Sequence, residues 1–255
     1  MARNTGKKVR RRGRRRKRGF ATWSIGKKIG AVLGGTLLGV VVIGSVILAS
    51  KMNKLSSVKL DTDKLNISDE VKYEKGYTNV ALFGLDSREN DLGKGNRSDT
   101  IIIASLNNDT KEVKLVSIYR DTLLELDDGS YNKANSAYSF GGPEGAVSLI
   151  NRNLDMNIEK YVTVNFNALV DVIDAVGGLD LELTHDEVVH MNNYCVETSK
   201  VTGKSYEKIE PEVEGTYHLN GVQAVSYSRI RYTEGGDFKR AERQRLVLQK
   251  IADKI

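Results

Sequence analysis

Apolar residues along this chain fall into one long block followed by many short ones. From Ile29 to Ser50 the run IGAVLGGTLLGVVVIGSVILAS carries no charge. A helix rising about 1.5 Å per residue crosses a hydrocarbon core of about 30 Å over that length, so residues 29–50 predict a transmembrane helix. Residues 51–76 are polar and aperiodic and predict a stalk. From Tyr77 the period begins to alternate. Asn79–Gly84, Thr100–Leu106 and Val113–Tyr119 are rich in β-branched residues and predict buried strands. Asn107, Asn108 and Asp109 make a turn between the last two. Pro143 predicts the first turn of a helix striped by Val147, Ile150 and Leu154. Tyr161–Phe166 predicts a further strand. Asn167 then caps a helix striped by Ala168, Leu169, Val172, Ile173 and Val176, which Gly177 and Gly178 end. Leu179–Leu183 alternates as a strand, and 184–215 shows no clear period. A short helix is expected over Asn220–Ser226 and a last one from near Phe238. No internal repeat is visible. The whole predicts an α/β fold: a three-layer α/β/α sandwich with a central mixed sheet over 77–255, preceded by one transmembrane helix. The stripe Leu246, Leu248, Ile251 and Ile255 runs to the last residue, as expected of a domain cut short or of an unusually short member of its kind.

Charge sharpens the topology. Residues 1–28 hold 13 Lys/Arg and no acid, whereas 29–255 hold 26 basic and 33 acidic residues. The basic excess before the apolar run places 1–28 in the cytoplasm as a tail and the domain outside, in a single-pass protein of the cell membrane. The run exceeds a typical leader core and no A-x-A site follows it, which favours an uncleaved anchor. Gly26, Gly30 and Gly34, and Gly35 and Gly39, have the spacing that lets two such helices pack as a homodimer. The arginine tract 10–18 has no interleaved aromatics, so contact with anionic lipid is expected and nucleic acid is not. The single cysteine, Cys195, excludes an internal disulfide and multi-cysteine zinc sites, and it has no obvious activating partner.

Three charged clusters stand at the ends of apolar strands, where sites form in α/β sheets, and a fourth lies downstream. They are Gly84-Leu85-Asp86-Ser87-Arg88, Arg97-Ser98-Asp99-Thr100, Arg120-Asp121-Thr122, and the set Arg229, Arg231, Asp237, Arg240, Arg243 and Gln244. Guanidinium forks match phosphate oxygens two at a time, and a few carboxylates with phosphate oxygens suit Mg2+. The collection is therefore suited to a metal–pyrophosphate group. No Walker loop and no G-x-S-x-G elbow is present. His185 and His190 are five apart rather than four and are expected at the surface.

These residues carry a resemblance. NVALFGLDSR, RSDTIIIASL, SIYRDT, YNKANSAYSFGG, VDVIDAVGGLDLEL, LNGVQAVSYSRIRY and GDFKRAERQ follow one another between about Asn79 and Lys250. In that order they resemble the LytR-CpsA-Psr family of bacterial cell-wall enzymes. The resemblance implies an Mg2+-assisted transfer of a glycopolymer, of teichoic acid or capsular polysaccharide type, with one phosphate. The donor would be a polyprenyl pyrophosphate lipid and the acceptor a hydroxyl of peptidoglycan, typically the 6-hydroxyl of N-acetylmuramic acid. It further implies Asp86 and Asp99 as metal ligands. Arg88, Arg97, Arg120, Arg229, Arg231, Arg240 and Gln244 match the pyrophosphate-binding set, and Asp237 an acidic neighbour. Asp86, Arg120, Asp121 and Asp237 are the expected catalytic residues, with Asp237 or Asp121 accepting the hydroxyl proton. Leu169, Val172, Ile173 and Val176 are candidates to line the lipid slot. A hydrolase of the same lipids and a membrane-bound attenuator of transcription are the alternatives. Two positions depart from the family: Tyr119 stands where proline is usual, and Lys239 replaces a common glycine.

Overall fold

The computed structural model describes residues 58–71, 76–87 and 91–254. The basic tail, the expected anchor at 29–50 and Arg88 lie outside these residues. Among the described residues no helix is long and apolar enough to cross a membrane.

Residues 59 onward form one compact unit. Part of the segment read as a stalk belongs to its packing. Leu65 is fully buried, and Asn66 donates to Ser148 Oγ at 2.6 Å and to Asp127 Oδ1 at 2.9 Å. A four-stranded sheet is made by β1 (Tyr77–Leu85), β2 (Ser98–Asn107), β3 (Val113–Ser117) and β6 (Lys160–Val164), in the order β3-β2-β1-β6. β1–β2 and β2–β3 are antiparallel and β1–β6 is parallel, so the sheet is mixed. Two hairpins stand apart from it. One is β4 (Leu123–Glu125) with β5 (Tyr131–Lys133). The other is β7 (Leu179–Leu183) with β8 (Gly215–Leu219), so the predicted strand 179–183 joins β8 rather than the central sheet.

Alternation along β1 and β2 turns Ala81, Phe83, Leu85, Ile101 and Ile103 to one face of the sheet. There they pack on Tyr138, Val147, Leu149 and Ile150 of helix α1 (Ser136–Leu154) to form a first core. Gly142 interrupts α1 at φ 66°, and the helix restarts at Pro143, whose ring suits a first turn. On the opposite face Ile102 is fully buried and registers with Ser117. Arg245 of helix α5 (Gly236–Ala252) donates to Ser117 Oγ at 2.7 Å, so helices lie against both faces.

The second core joins β7–β8 to helices α2 (Phe166–Ala175), α3 (His185–Thr202), α4 (Gly221–Arg229) and α5. Caps fix their ends. Asn165, not Asn167, is the N-cap of α2 and accepts from the Ala168 N–H at 2.9 Å. Thr184 and Glu187 make a capping box for α3, and Asn220 and Gln223 one for α4. Gly221 opens α4 so close to α2 that an added Cβ would lie 2.4 Å from Val170 O. Cys195 is buried in this core, and burial pushes its thiol up to about 11, which leaves it protonated and inert. His185 is exposed, with Nδ1 against Glu212 O.

Candidate active site

A cavity of about 160 Å³ opens on the seam between the two cores. The end of β1 contributes Gly84, Leu85 and Asp86, and β2 contributes Asp99 and Thr100. The β1–β2 register explains how neighbouring residues reach one cavity. Gly84 pairs with Thr100 but Leu85 pairs with Ser98, so Asp99 is the extra residue of a bulge. Bulges re-aim side chains that strict alternation would turn away. Val164, Asn165, Phe166 and Leu169 enter from the β6–α2 junction, Tyr194 from α3, and Val225, Ser228, Arg229, Arg231, Arg240 and Gln244 from α4, α5 and the turn between them. The cavity thus combines guanidinium groups with apolar and aromatic side chains.

The arginines are held in different ways. Arg229 stacks on Phe166 at 4.4 Å and faces Tyr194 at 5.2 Å; it donates to Glu197 Oε2 at 2.8 Å and Thr198 Oγ1 at 2.9 Å. Arg231 forks Asp237, Nε to Oδ1 at 2.9 Å and Nη2 to Oδ2 at 3.3 Å. That fork holds the Asp237 carboxyl below its ordinary range, with Arg240 and Arg120 adding to the effect. Arg120 Nη1 donates to both oxygens of Asp99, at 3.1 and 3.0 Å. Arg240 is the exception. Its side chain is only 10% exposed, yet its ion pairs are long, 3.6 Å to Asp99 and 3.8 Å to Asp237. Its Nε is buried without a hydrogen-bond acceptor among the described residues. Burial holds its guanidinium below the ordinary arginine value, although such a group stays charged. A buried guanidinium with an unpartnered Nε and only long ion pairs has capacity left for an anionic ligand, and Arg120 Nε likewise lacks a hydrogen-bond acceptor among the described residues.

A second, smaller niche of about 40 Å³ shares Asp99, Thr100, Arg240 and Gln244 with the main cavity. Tyr119, Arg120, Asp121 and Asp237, with Ile101, Ser117, Ile118 and Ala241, line its remainder. Asp121 Oδ1 accepts from Lys133 Nζ at 2.6 Å, which lowers its carboxyl, while Oδ2 lies 3.5 Å from Arg120 Nε.

The two spaces bring together Asp86, Asp99, Arg120, Asp121, Arg229, Arg231, Asp237, Arg240 and Gln244, all named from the sequence. Arg97 is exposed and lines neither space. Of the four candidates for a lipid slot only Leu169 lines the cavity. Ile173 is core, Val176 packs against core, and Val172 is 42% exposed. Phe166, Tyr194 and Val225 supply the other apolar wall instead. Arg243 turns away from the site: its Nε donates to Glu187 Oε1 at 2.8 Å, Nη1 to Ile230 O at 3.2 Å and Nη2 to Thr233 Oγ1 at 2.7 Å.

Among the described residues no cluster of three carboxylate, histidine or cysteine side chains exists to cage a metal. Asp86 and Asp99 nevertheless line one cavity, and Mg2+ characteristically takes one or two carboxylates plus substrate phosphate oxygens. The donor set fits on that condition, with Asp99 sharing its charge with Arg120.

Comparison with known proteins follows the same lines. The LytR_cpsA_psr family profile matches residues 42–255. The chain is 31% identical over 239 residues to the polyisoprenyl-teichoic acid–peptidoglycan teichoic acid transferase TagU of Enterococcus faecalis, covering 91% of this chain and 73% of that protein. With the transferase of the same name from Bacillus cereus it shares 35% identity over 242 residues, covering 91% and 70%. Among solved structures, the LytR-CPS2A-psr family protein YwtF (TagT) with bound octaprenyl pyrophosphate lipid superposes with a TM-score of 0.59. That pair is 26% identical, over 78% of this chain and 73% of that one.

Proposed function

The chain belongs to the LytR_cpsA_psr family, and from that premise we propose that it is a transferase moving a glycopolymer from a polyprenyl pyrophosphate carrier to peptidoglycan. The observation that carries this reading is Arg240, a buried guanidinium with an unpartnered Nε, lining one cavity with Arg229, Arg231 and Gln244 and with apolar Val164, Phe166, Leu169 and Val225. A pyrophosphate supplies the missing acceptors, and a prenyl chain suits Val164, Phe166, Leu169 and Val225. A volume of about 160 Å³ lies below the roughly 300 Å³ or more of pockets that hold drug-sized ligands. It suits the head group and the first part of the tail, with the remainder running out past Leu169.

Phosphoryl transfer asks for positioning and charge neutralisation more than for covalent help. Arg229, rigid between two aromatic rings, and Arg231, fixed by its fork on Asp237, orient the diphosphate. Arg120 and Arg240 oppose the charge that builds on the leaving phosphate. When bound by Asp86 and Asp99, Mg2+ would add Lewis-acid neutralisation of the phosphate oxygens. Asp121 is the better candidate to accept the hydroxyl proton. Both Asp237 oxygens are taken by Arg231, whereas Asp121 Oδ2 has only the 3.5 Å approach of Arg120. An anchor at 29–50 would hold this site beside the outer membrane surface, where a lipid-borne donor is found.

The test is a product assay. Full-length protein is mixed with prenyl-pyrophosphate-linked glycopolymer, peptidoglycan and Mg2+. Polymer bonded to the wall supports the proposal, and free phosphate with no bonded polymer refutes it in favour of a hydrolase. Asp86→Ala, Asp99→Ala and Arg120→Ala should each abolish bonding; full activity in all three means the site is elsewhere.

A further inference from the structure

The small niche beside the main cavity has its own chemistry. Its volume of about 40 Å³ holds only a few water-sized groups, one needing about 10–15 Å³ on this measure. No sugar ring enters such a space, but a hydroxymethyl arm does. Tyr119 lines the niche, and its ring meets that of Phe238 next to it edge to face, centroids 4.6 Å apart at 66°. Both present apolar area to solvent, Phe238 being 64% and Tyr119 39% exposed. The two come from different elements, the exit of β3 and the first turn of α5. Asp121 and Asp237 line the niche beside Tyr119, Ile101, Ile118 and Ala241 add apolar lining, and it shares the wall of Asp99, Thr100, Arg240 and Gln244 with the main cavity.

We propose that this niche is the acceptor site, taking the primary-hydroxyl arm of a glycan sugar whose apolar face rests on Tyr119 and Phe238. The inference rests on the transferase reading above and adds to it the place and the recognition of the acceptor. Aromatic rings suit the C–H face of a pyranose, and carboxylates accept its hydroxyls. The geometry also puts the arm beside the cationic wall. There the arm's oxygen bonds to the phosphorus bearing the glycopolymer. The bond from that phosphorus to the bridging oxygen breaks, and its electron pair leaves on prenyl phosphate. The hydroxyl proton passes to the Asp121 carboxylate. Tyr119 takes a position where the resembled family carries proline, so half of the platform is particular to this chain.

The experiment uses full-length protein, a prenyl-pyrophosphate-linked glycopolymer as donor and a soluble peptidoglycan oligosaccharide as acceptor. Loss of one stacking ring is expected to raise the acceptor KM about tenfold in Tyr119→Ala and in Phe238→Ala, while the donor KM holds. Tyr119→Phe, which keeps the ring, should restore the acceptor KM. An acceptor KM that does not move in either alanine variant overturns the proposal, as does a donor KM that rises in step. Melting temperatures of the variants separate a folding defect from either outcome, and Tyr119→Phe decides the matter if an alanine variant melts early. Wild-type protein that only releases phosphate at saturating acceptor sinks the transferase reading itself, and the acceptor site with it. Wild-type transfer with unmoved variants sinks the acceptor site alone.

Discussion

Replacing Arg243 by methionine tests whether the guanidinium layer of the site depends on a buried pin. Arg243 is 5% exposed and its partner Glu187 14%. The pin ties α5 to the N-terminus of α3 through Glu187 and to the turn carrying Arg231 through Ile230 O and Thr233 Oγ1. Methionine keeps much of the volume and removes all three bonds. Breaking a buried pair by deleting one partner costs about 3–5 kcal/mol, because the other charge is stranded. Glu187 Oε2 still accepts from the Thr184 N–H at 3.0 Å, so the low end, about 3 kcal/mol, is expected. At ~2–4 °C per kcal/mol for a domain of this size, the melting temperature should fall by about 6–12 °C. Calorimetry of the full chain measures it. Donor-lipid affinity should fall with it, since the turn 230–233 loses its fixed point. The double variant Glu187→Gln with Arg243→Met removes both charges and should melt above Arg243→Met alone. A single variant melting within about 2 °C of wild type, or a double variant that loses the sum of both singles, refutes the pin.

Three further outcomes follow from the geometry. Gly221→Ala would place its Cβ 2.4 Å from Val170 O and 2.8 Å from Asp174 Oδ1, neither able to yield freely, so thermal unfolding should show a loss of about 1–3 kcal/mol. Arg229→Lys keeps the charge but loses the fork and the stack on Phe166; donor affinity by calorimetric titration should drop about tenfold, and an unchanged value would deny the stack a role. Asp237 is held below its ordinary value of 3.8 by Arg231. A depressed carboxyl contributes stability above its unfolded pKa and loses it as pH falls through the folded one. Arg231→Leu should therefore move the acid limb of the melting-temperature profile to higher pH, and an unmoved limb would show that the fork does not set it.

The main strands were legible because β1 and β2 carry short uninterrupted apolar runs, Val80–Phe83 and Ile101–Ala104, bounded by polar residues or glycine, and their observed ends lie within two residues of the expected ones. Helix α3 was not legible. Its apolar stripe is broken by Asn192 and Thr198, buried polar residues whose partners (Ile209 O, Glu212 and Tyr194 O) no periodicity reveals. Its ends were written all the same, in the Thr184-x-x-Glu187 box and in Gly203 at φ 68°. The charged site residues could be named because strand ends declare themselves locally. The apolar wall could not: Phe166, Tyr194 and Val225 meet only through tertiary packing, and the stripe that pointed to a lipid slot was mostly core. Arg97 and Arg243 show the other limit. Both stand in charged clusters, and only the fold turns one to solvent and the other into a structural bond.

The bulge at Asp99 has a consequence for folding order. Asp99 lies on β2 and Asp86 directly follows β1, so the antiparallel pairing of these two strands sets where both fall. Arg120, just past β3, meets Asp99 through the same sheet, whereas Arg229, Arg231 and Arg240 need a contact across most of the domain, with the larger loop-closure cost that this entails. The part of the site borne by the sheet, Asp99 with Arg120, is thus expected to form before those three arginines reach it.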